Sequence, residues 1–278
     1  ENPHGQLELS ITSNLCPPDQ KLFDRFIDLV KKLETVRVWE DSHNFNENSG
    51  NYWYVAPGMK HFTLFVSLDG HGQQAEYIRD GLDFDRLLQN ARTYLRETKH
   101  TSISFINTFN LLSLPTLKKF LEMILELRKE FGGRAQTEHE IFPPSHNGFD
   151  HPSYTVKKFQ RVWFDIPILR YPPWFSIQNA GKYGSATVRE VLAYMEQNVQ
   201  QDDYLETFEG FKPYELLKVK RDLAIMEEPL PTETRSVNMI EFYNFITEYD
   251  ERRGKNFRET FPELSQYYVD CLKEKMRK

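Results

Sequence analysis

Phe65-Val-Ser67-Leu-Asp69-Gly70 is the stretch that decides how this chain reads. It closes an apolar run, Phe62–Leu68, whose β-branched and aromatic residues suit a strand buried in a sheet. Asp69-Gly70 supplies the exit turn. The segment Ala75-Glu76-Tyr77-Ile78-Arg79-Asp80-Gly81 follows and sets an arginine twelve residues after the serine. Ser67 thus stands at the carboxyl end of a buried strand, where barrels and open sheets hold their ligands.

Working outward, strand and helix alternate. Residues 7–13 read as a strand with Leu7, Leu9 and Ile11 on one face. Asp19 is the N-cap of a helix carrying Leu22, Phe26, Leu29, Val30 and Leu33 at helical spacing. Val36–Trp39 reads as a short strand, and residues 40–60, rich in Asn, Ser, Gly and His, as a long loop. Phe84–Leu95 is a helix with Leu87, Leu88 and Ala91 inward. Its charges Arg86 and Arg92 read as a solvated face. Ser102–Asn107 is a strand, Leu114–Phe131 an amphipathic helix, and Val162–Leu169 a further strand. Repeated strand–helix units imply parallel strands with right-handed crossovers. The predicted fold is therefore α/β, with 7–13, 62–68, 102–107 and 162–169 as neighbours in one sheet. After Gly184 the pattern turns helical, over 186–199, 213–226, 237–252 and 262–277. Pro229–Thr234 is the candidate linker.

The composition narrows the class. Hydrophobic residues at 39% and aromatics at 14% of 278 residues support a packed core rather than disorder. The net charge of −6, with no basic half, speaks against a nucleic-acid partner. No apolar run reaches membrane length, so no membrane partner is expected. The two cysteines, Cys16 and Cys271, have no C-x-x-C neighbour and read as reduced thiols of a cytoplasmic protein. The chain opens on Glu1 almost directly into its first strand, which reads as a start within a longer protein.

Taken in order, several segments resemble radical S-adenosylmethionine enzymes with a twitch or SPASM C-terminal extension. Ile11-Thr12-Ser13-Asn14 is similar to the end of their third strand. Ser67-Leu-Asp69-Gly70 with Arg79 resembles the fourth strand and its loop, and Asn107-Thr-Phe-Asn110-Leu-Leu-Ser-Leu114 the end of the fifth. Trp163-Phe-Asp165-Ile-Pro167-Ile-Leu169-Arg-Tyr171-Pro-Pro173-Trp174 resembles the sixth. The tail Glu248–Phe257, then Thr260–Leu264, also looks familial. The resemblance implies a partial (βα)6 barrel, strands about three to six, over residues 1–184, and a helical extension over 185–278. It implies reductive cleavage of S-adenosylmethionine and radical modification of an unknown substrate in the full-length parent. It also implies a [4Fe–4S] cluster and a reductant protein as partner there. The chain departs from the family where the cluster is concerned. The three-cysteine motif and the Gly-Gly-Glu motif are both missing. Two lone cysteines cannot supply three thiolates, so no cluster and no activity are expected of this chain alone. An auxiliary cluster in the extension is not expected either, since Cys271 is its single cysteine. The rival reading is a non-catalytic α/β binding or interaction module.

By the same resemblance Asn14, Ser67, Arg79, Asn107 and Leu169 are the candidate S-adenosylmethionine contacts, and the catalytic residues are unknown. Each has a plainer alternative. Ser67 could cap the strand exit, Arg79 could pair with Glu76 or Asp80, and Asn14 and Asn107 could form turns. Leu169, Pro172 and Pro173 could form an apolar wall against adenine or simply end the strand. Asp165 reads first as a structural carboxylate, with proton transfer as the alternative. His139, His146 and His151 sit with Glu138 and Glu140 in one loop, but their spacing fits no common zinc pattern. Trp39, Tyr52, Trp53 and Tyr54 read as packing or loop cover.

Overall fold

The computed structural model of the chain describes residues 8–40, 52–57, 61–98, 101–132, 160–200 and 209–278. Four strands form one sheet: β1 (Glu8–Ser13), β4 (His61–Ser67), β5 (Thr101–Ile106) and β6 (Val162–Asp165). They lie in the order β1-β4-β5-β6, and every pair is parallel. These are the four segments expected from the sequence. The helices between them are α1 (Gln20–Glu34), α2 (Gly72–Ile78), α3 (Phe84–Glu97) and α4 (Leu117–Phe131). Local caps fix two of their starts. Asp19 Oδ1 accepts the Lys21 amide at 3.0 Å, and Asp83 Oδ1 accepts the Arg86 amide at 2.9 Å.

The alternation along β4 separates two faces. Phe62, Leu64 and Val66 are buried, whereas His61, Thr63, Phe65 and Ser67 are half-buried. Helices pack on the first face. Phe26 of α1 lies 6.1 Å from both Phe62 and Tyr94 of α3, and Phe120 of α4 lies 6.3 Å from Phe164. Burying each such side chain contributes roughly 1.5–3 kcal/mol. The second face is mainly polar, with Phe65 and Ile106 among its residues: His61 Nε2 and Thr63 Oγ1 lie 2.9 and 3.2 Å from the Ser102 hydroxyl. At the amino end of β6 the buried Arg161 guanidinium donates to the carbonyls of Leu95, Thr98 and Thr101 at 2.8–3.1 Å. That satisfies its donors and anchors β6 beside β5.

Three expectations need correction. Residues 40–60 are not all loop: β3 (Tyr52–Pro57) pairs antiparallel with β2 (Thr35–Glu40), Trp39 opposite Trp53. The aromatic and β-branched content of Tyr52–Val55 favours that strand. β6 stops at Asp165 rather than Leu169, because Pro167 lacks an amide proton for the ladder. Pairing resumes beyond it as a bridge between Phe109 and Ile168. Finally, Pro229–Thr234 is not a linker throughout, since a helix begins at Thr232 behind Pro231, a residue tolerated at helix starts.

The C-terminal third is helical: α5 (Gly181–Gln197), α6 (Pro213–Glu227), α7 (Thr232–Arg253), α8 (Phe257–Thr260) and α9 (Ser265–Arg277). It is bonded to the sheet layer by a fully buried ion pair. Arg128 of α4 meets Glu215 of α6 two-pronged, at 2.9 and 2.7 Å. Close approach also matters. A Cβ on Gly184 would lie 2.6 Å from Leu114 and 2.8 Å from Met226, so α5 packs here only without a side chain. No described helix is long and apolar enough to cross a membrane.

Candidate functional site

The carboxyl ends of β4 and β5 bring the Ser-x-Asp-Gly turn next to the start of the 107–116 loop. Leu68 continues the ladder by donating its amide to the Ile106 carbonyl at 2.9 Å. Asp69, 7% exposed, then does two things. Its Oδ1 accepts the Thr108 amide at 2.7 Å, and its Oδ2 pairs with Arg79 Nη2 at 2.7 Å. One carboxylate thereby joins the ends of two strands to the end of α2. Gly70 follows at φ +110°, a conformation that favours glycine. A Cβ there would also stand 3.0 Å from the Thr116 hydroxyl, which accepts the His71 amide at 3.1 Å. The glycine is therefore needed for both conformation and space.

Arg79 is placed at this edge, and its partner is neither Glu76 nor Asp80, the two carboxylates of the plainer alternative. Asp80 is taken by Lys255 at 3.0 Å and by Arg253, and Glu76 accepts the Phe84 amide at 2.9 Å. Asp69 holds the guanidinium instead, leaving Nε without a partner among the described residues. Ser67 is half-buried on the polar face of β4. Asn107 is fully buried, and neither its Oδ1 nor its Nδ2 has a partner among the described residues. An enclosed amide left so costs about 1–3 kcal/mol unless water or a ligand satisfies it.

The other candidates fall differently. Asn14 is exposed at the end of β1, and its Oδ1 accepts the Cys16 amide at 3.1 Å, the plain turn role. Leu169 is half-buried and donates its amide to the Phe109 carbonyl at 2.9 Å, beyond the end of β6. Asp165 is held by Lys218 of α6 and accepts the Ile166 amide at 2.9 Å, as a structural carboxylate does. Arg92 pairs with Glu130 at 3.0 Å as a surface charge, whereas Arg86 reaches inward to the Pro17 carbonyl. His139, His146, His151, Glu138 and Glu140 lie outside the described residues.

The C-terminal tail that looked familial grips α2, the helix behind the Ser-x-Asp-Gly turn. Tyr77 donates to Asp250 at 2.6 Å, and Lys255 donates to the Glu76 carbonyl at 2.9 Å. Gln74 donates to the Thr260 carbonyl at 3.0 Å. Burial and the Asp250 carboxylate together hold the Tyr77 phenol far above its ordinary range. On the other side of α2, His71 packs on Phe84 at 4.4 Å, and burial, aided by Lys119, lowers its pKa.

Neither thiol suits a cluster. Cys16 Sγ donates to the Asp83 carbonyl at 3.1 Å, and Cys271, enclosed in α9, is pushed up to about 12 by burial. Among the described residues no group of three or more His, Cys, Asp and Glu could hold a metal ion. At this end of the sheet stand a guanidinium fixed by a carboxylate, a half-buried serine and an enclosed amide. The chain matches no family model, no curated protein and no solved structure.

The sequence pointed to Ser67, Arg79 and Asn107 but missed Asp69, Thr108 and Thr116. Asp69 stood in the Ser-x-Asp-Gly turn, and no local pattern paired it with Arg79 rather than leaving Arg79 to Glu76 or Asp80.

Proposed function

We propose that the β1-β4-β5-β6 sheet is about strands three to six of a radical S-adenosylmethionine-type barrel, and that its carboxyl edge binds S-adenosylmethionine. One observation carries this reading. Four parallel strands follow one another in chain order, and Ser67 and the Asp69–Arg79 pair stand at their carboxyl ends, the end at which barrels hold ligands. Among the described residues the amide of Asn107 and Nε of Arg79 have no partner, which suits a polar ligand there. In such enzymes S-adenosylmethionine, when bound at a cluster, supplies a 5′-deoxyadenosyl radical; the parent reaction on its unknown substrate follows from that.

The chain's own part is to bind and orient. Arg79, fixed by Asp69, offers its planar donors to the ligand carboxylate. Ser67 offers a hydroxyl, Asn107 both a donor and an acceptor, and Leu169 an apolar surface to the adenine. The cysteines do not fit a [4Fe–4S] cluster, so no step is assigned to one on this chain. That same fact favours a second reading, a binding module that takes the ligand without cleaving it. Hydrogen–deuterium exchange with and without S-adenosylmethionine tests the proposed surface. We expect protection over residues 67–79 and 106–110. Unchanged exchange in both segments would reject it.

A further inference from the structure

Away from the sheet edge, the start of α5 and the turn from α6 to α7 enclose a depression of about 310 Å³. Gly181 opens α5 at φ +43°, and the Arg235 guanidinium lies against it, Nη2 3.5 Å from where a Cβ would be. Lys182 lines the same hollow, with its ammonium 5.0 Å from the centre of the Tyr183 ring. Glu227 and Glu228, where α6 ends, also line it, and Met226 gives it an apolar part. Two cations and two anions thus share one small hollow. Among the described residues none of the four makes an ion pair or a side-chain hydrogen bond.

Arg235 is the informative member. It is half-buried, so part of its hydration is lost, with no carboxylate in exchange among the described residues. A planar guanidinium in that setting is complementary to a carboxylate, two-pronged. The amino end of a seventeen-residue helix beside it adds positive potential. The two glutamates are complementary to an ammonium. We propose that this hollow binds a small zwitterion, its carboxylate against Arg235 and the start of α5, its ammonium against Glu227 and Glu228. The ligand class is an amino acid or a very short peptide, which the volume admits. This inference does not depend on the reading of the sheet edge.

Calorimetric titration of the whole chain with the dipeptide Ala-Ala, and separately with L-alanine, tests it. N-acetyl-Ala-Ala lacks the ammonium, and Ala-Ala amide lacks the carboxylate. We expect at least one of the two zwitterions to bind. For Ala-Ala, each blocked form should lose roughly tenfold or more. Arg235→Ala should abolish the advantage of a free carboxylate, and Arg235→Lys should restore part of it. Glu227→Gln/Glu228→Gln, on exposed residues that leave the fold alone, should abolish the advantage of a free ammonium. Binding of Ala-Ala alone assigns the hollow to peptides, and binding of L-alanine alone assigns it to free amino acids. No heat from either up to about 10 mM, blocked forms binding equally, or unchanged selectivity in the glutamine variant would overturn the proposal.

Discussion

Glu215→Gln should be among the most damaging single substitutions in this chain, although it changes almost no volume. Arg128 is fully buried and Glu215 is 2% exposed. The guanidinium also donates to the carbonyls of Val162 at 3.1 Å and Gly210 at 2.9 Å, and Glu215 Oε2 accepts the Lys212 amide at 2.9 Å. Every strong group in this network is satisfied, so removing one charge strands the other. Breaking a buried pair in this way costs about 3–5 kcal/mol. Glu215→Gln keeps one carbonyl acceptor on the new side chain, which sets its cost near the lower end. Arg128→Met leaves a buried carboxylate with only the Lys212 amide and takes the guanidinium from the Gly210 carbonyl, while the Val162 carbonyl keeps Gln160 Nε2, which sets it near the upper end. Arg128→Met/Glu215→Leu removes both charges and replaces them with apolar volume. Its cost should be far below the sum of the single losses, because no charge is left behind. Urea unfolding followed by circular dichroism and tryptophan fluorescence measures all three. Single losses under about 1 kcal/mol, or a double variant equal to the sum, would refute the reasoning.

Three other outcomes are expected. His71 has a lowered pKa, caused first by burial and then by Lys119, with Glu122, Glu126 and Asp85 opposing. The unfolded chain therefore takes up a proton on it below about pH 6.5 while the folded chain does not, so stability falls as pH drops through that value. His71→Gln should flatten this part of a urea-midpoint profile between about pH 7.5 and 5.5, and an unchanged slope would remove His71 as the cause. Anaerobic reconstitution with iron and sulfide should give no [4Fe–4S] absorbance and no 5′-deoxyadenosine, since Cys16 and Cys271 lie in separate elements; a bound cluster would contradict that. The β1 edge has no strand partner on its outer side among the described residues, and Ile11 there is 45% exposed. The chain should self-associate, and Ile11→Lys should shift it toward monomer in sedimentation velocity; a monodisperse parent chain would refute this.

Much of the sheet was legible because buried parallel strands write themselves as apolar runs. Phe62–Leu68 is one, and the helical spacing of Phe26 and Val30 or of Leu87 and Ala91 marked the layers around it. The hairpin was not legible, because the polar composition of residues 41–51 outweighed the strand character of Tyr52–Val55. The start of α7 was hidden behind Pro231, which punctuates a sequence equally well when it ends a segment and when it opens a helix. At the candidate site, the residue types were readable and the pairings were not. Arg79 had three carboxylates within reach along the chain, and only the turn at Gly70 brings Asp69 to it rather than Glu76 or Asp80. The enclosure of Asn107 depends on how the 107–116 loop packs, which no local pattern encodes.

The most direct test of the proposed sheet-edge site is calorimetric titration of the chain with S-adenosylmethionine. We expect binding with a Kd of about 1 mM or tighter. Arg79→Ala removes a charge-assisted contact worth ~1.5–3 kcal/mol and should weaken binding roughly ten- to a hundredfold. Arg79→Lys should recover only part of it, because an ammonium lacks the two-pronged geometry. Arg92→Ala, which removes a surface charge paired with Glu130, should leave the affinity unchanged. Equal affinity for Arg79→Ala and the unaltered chain, or no binding by the unaltered chain, would contradict the assignment of this edge to S-adenosylmethionine.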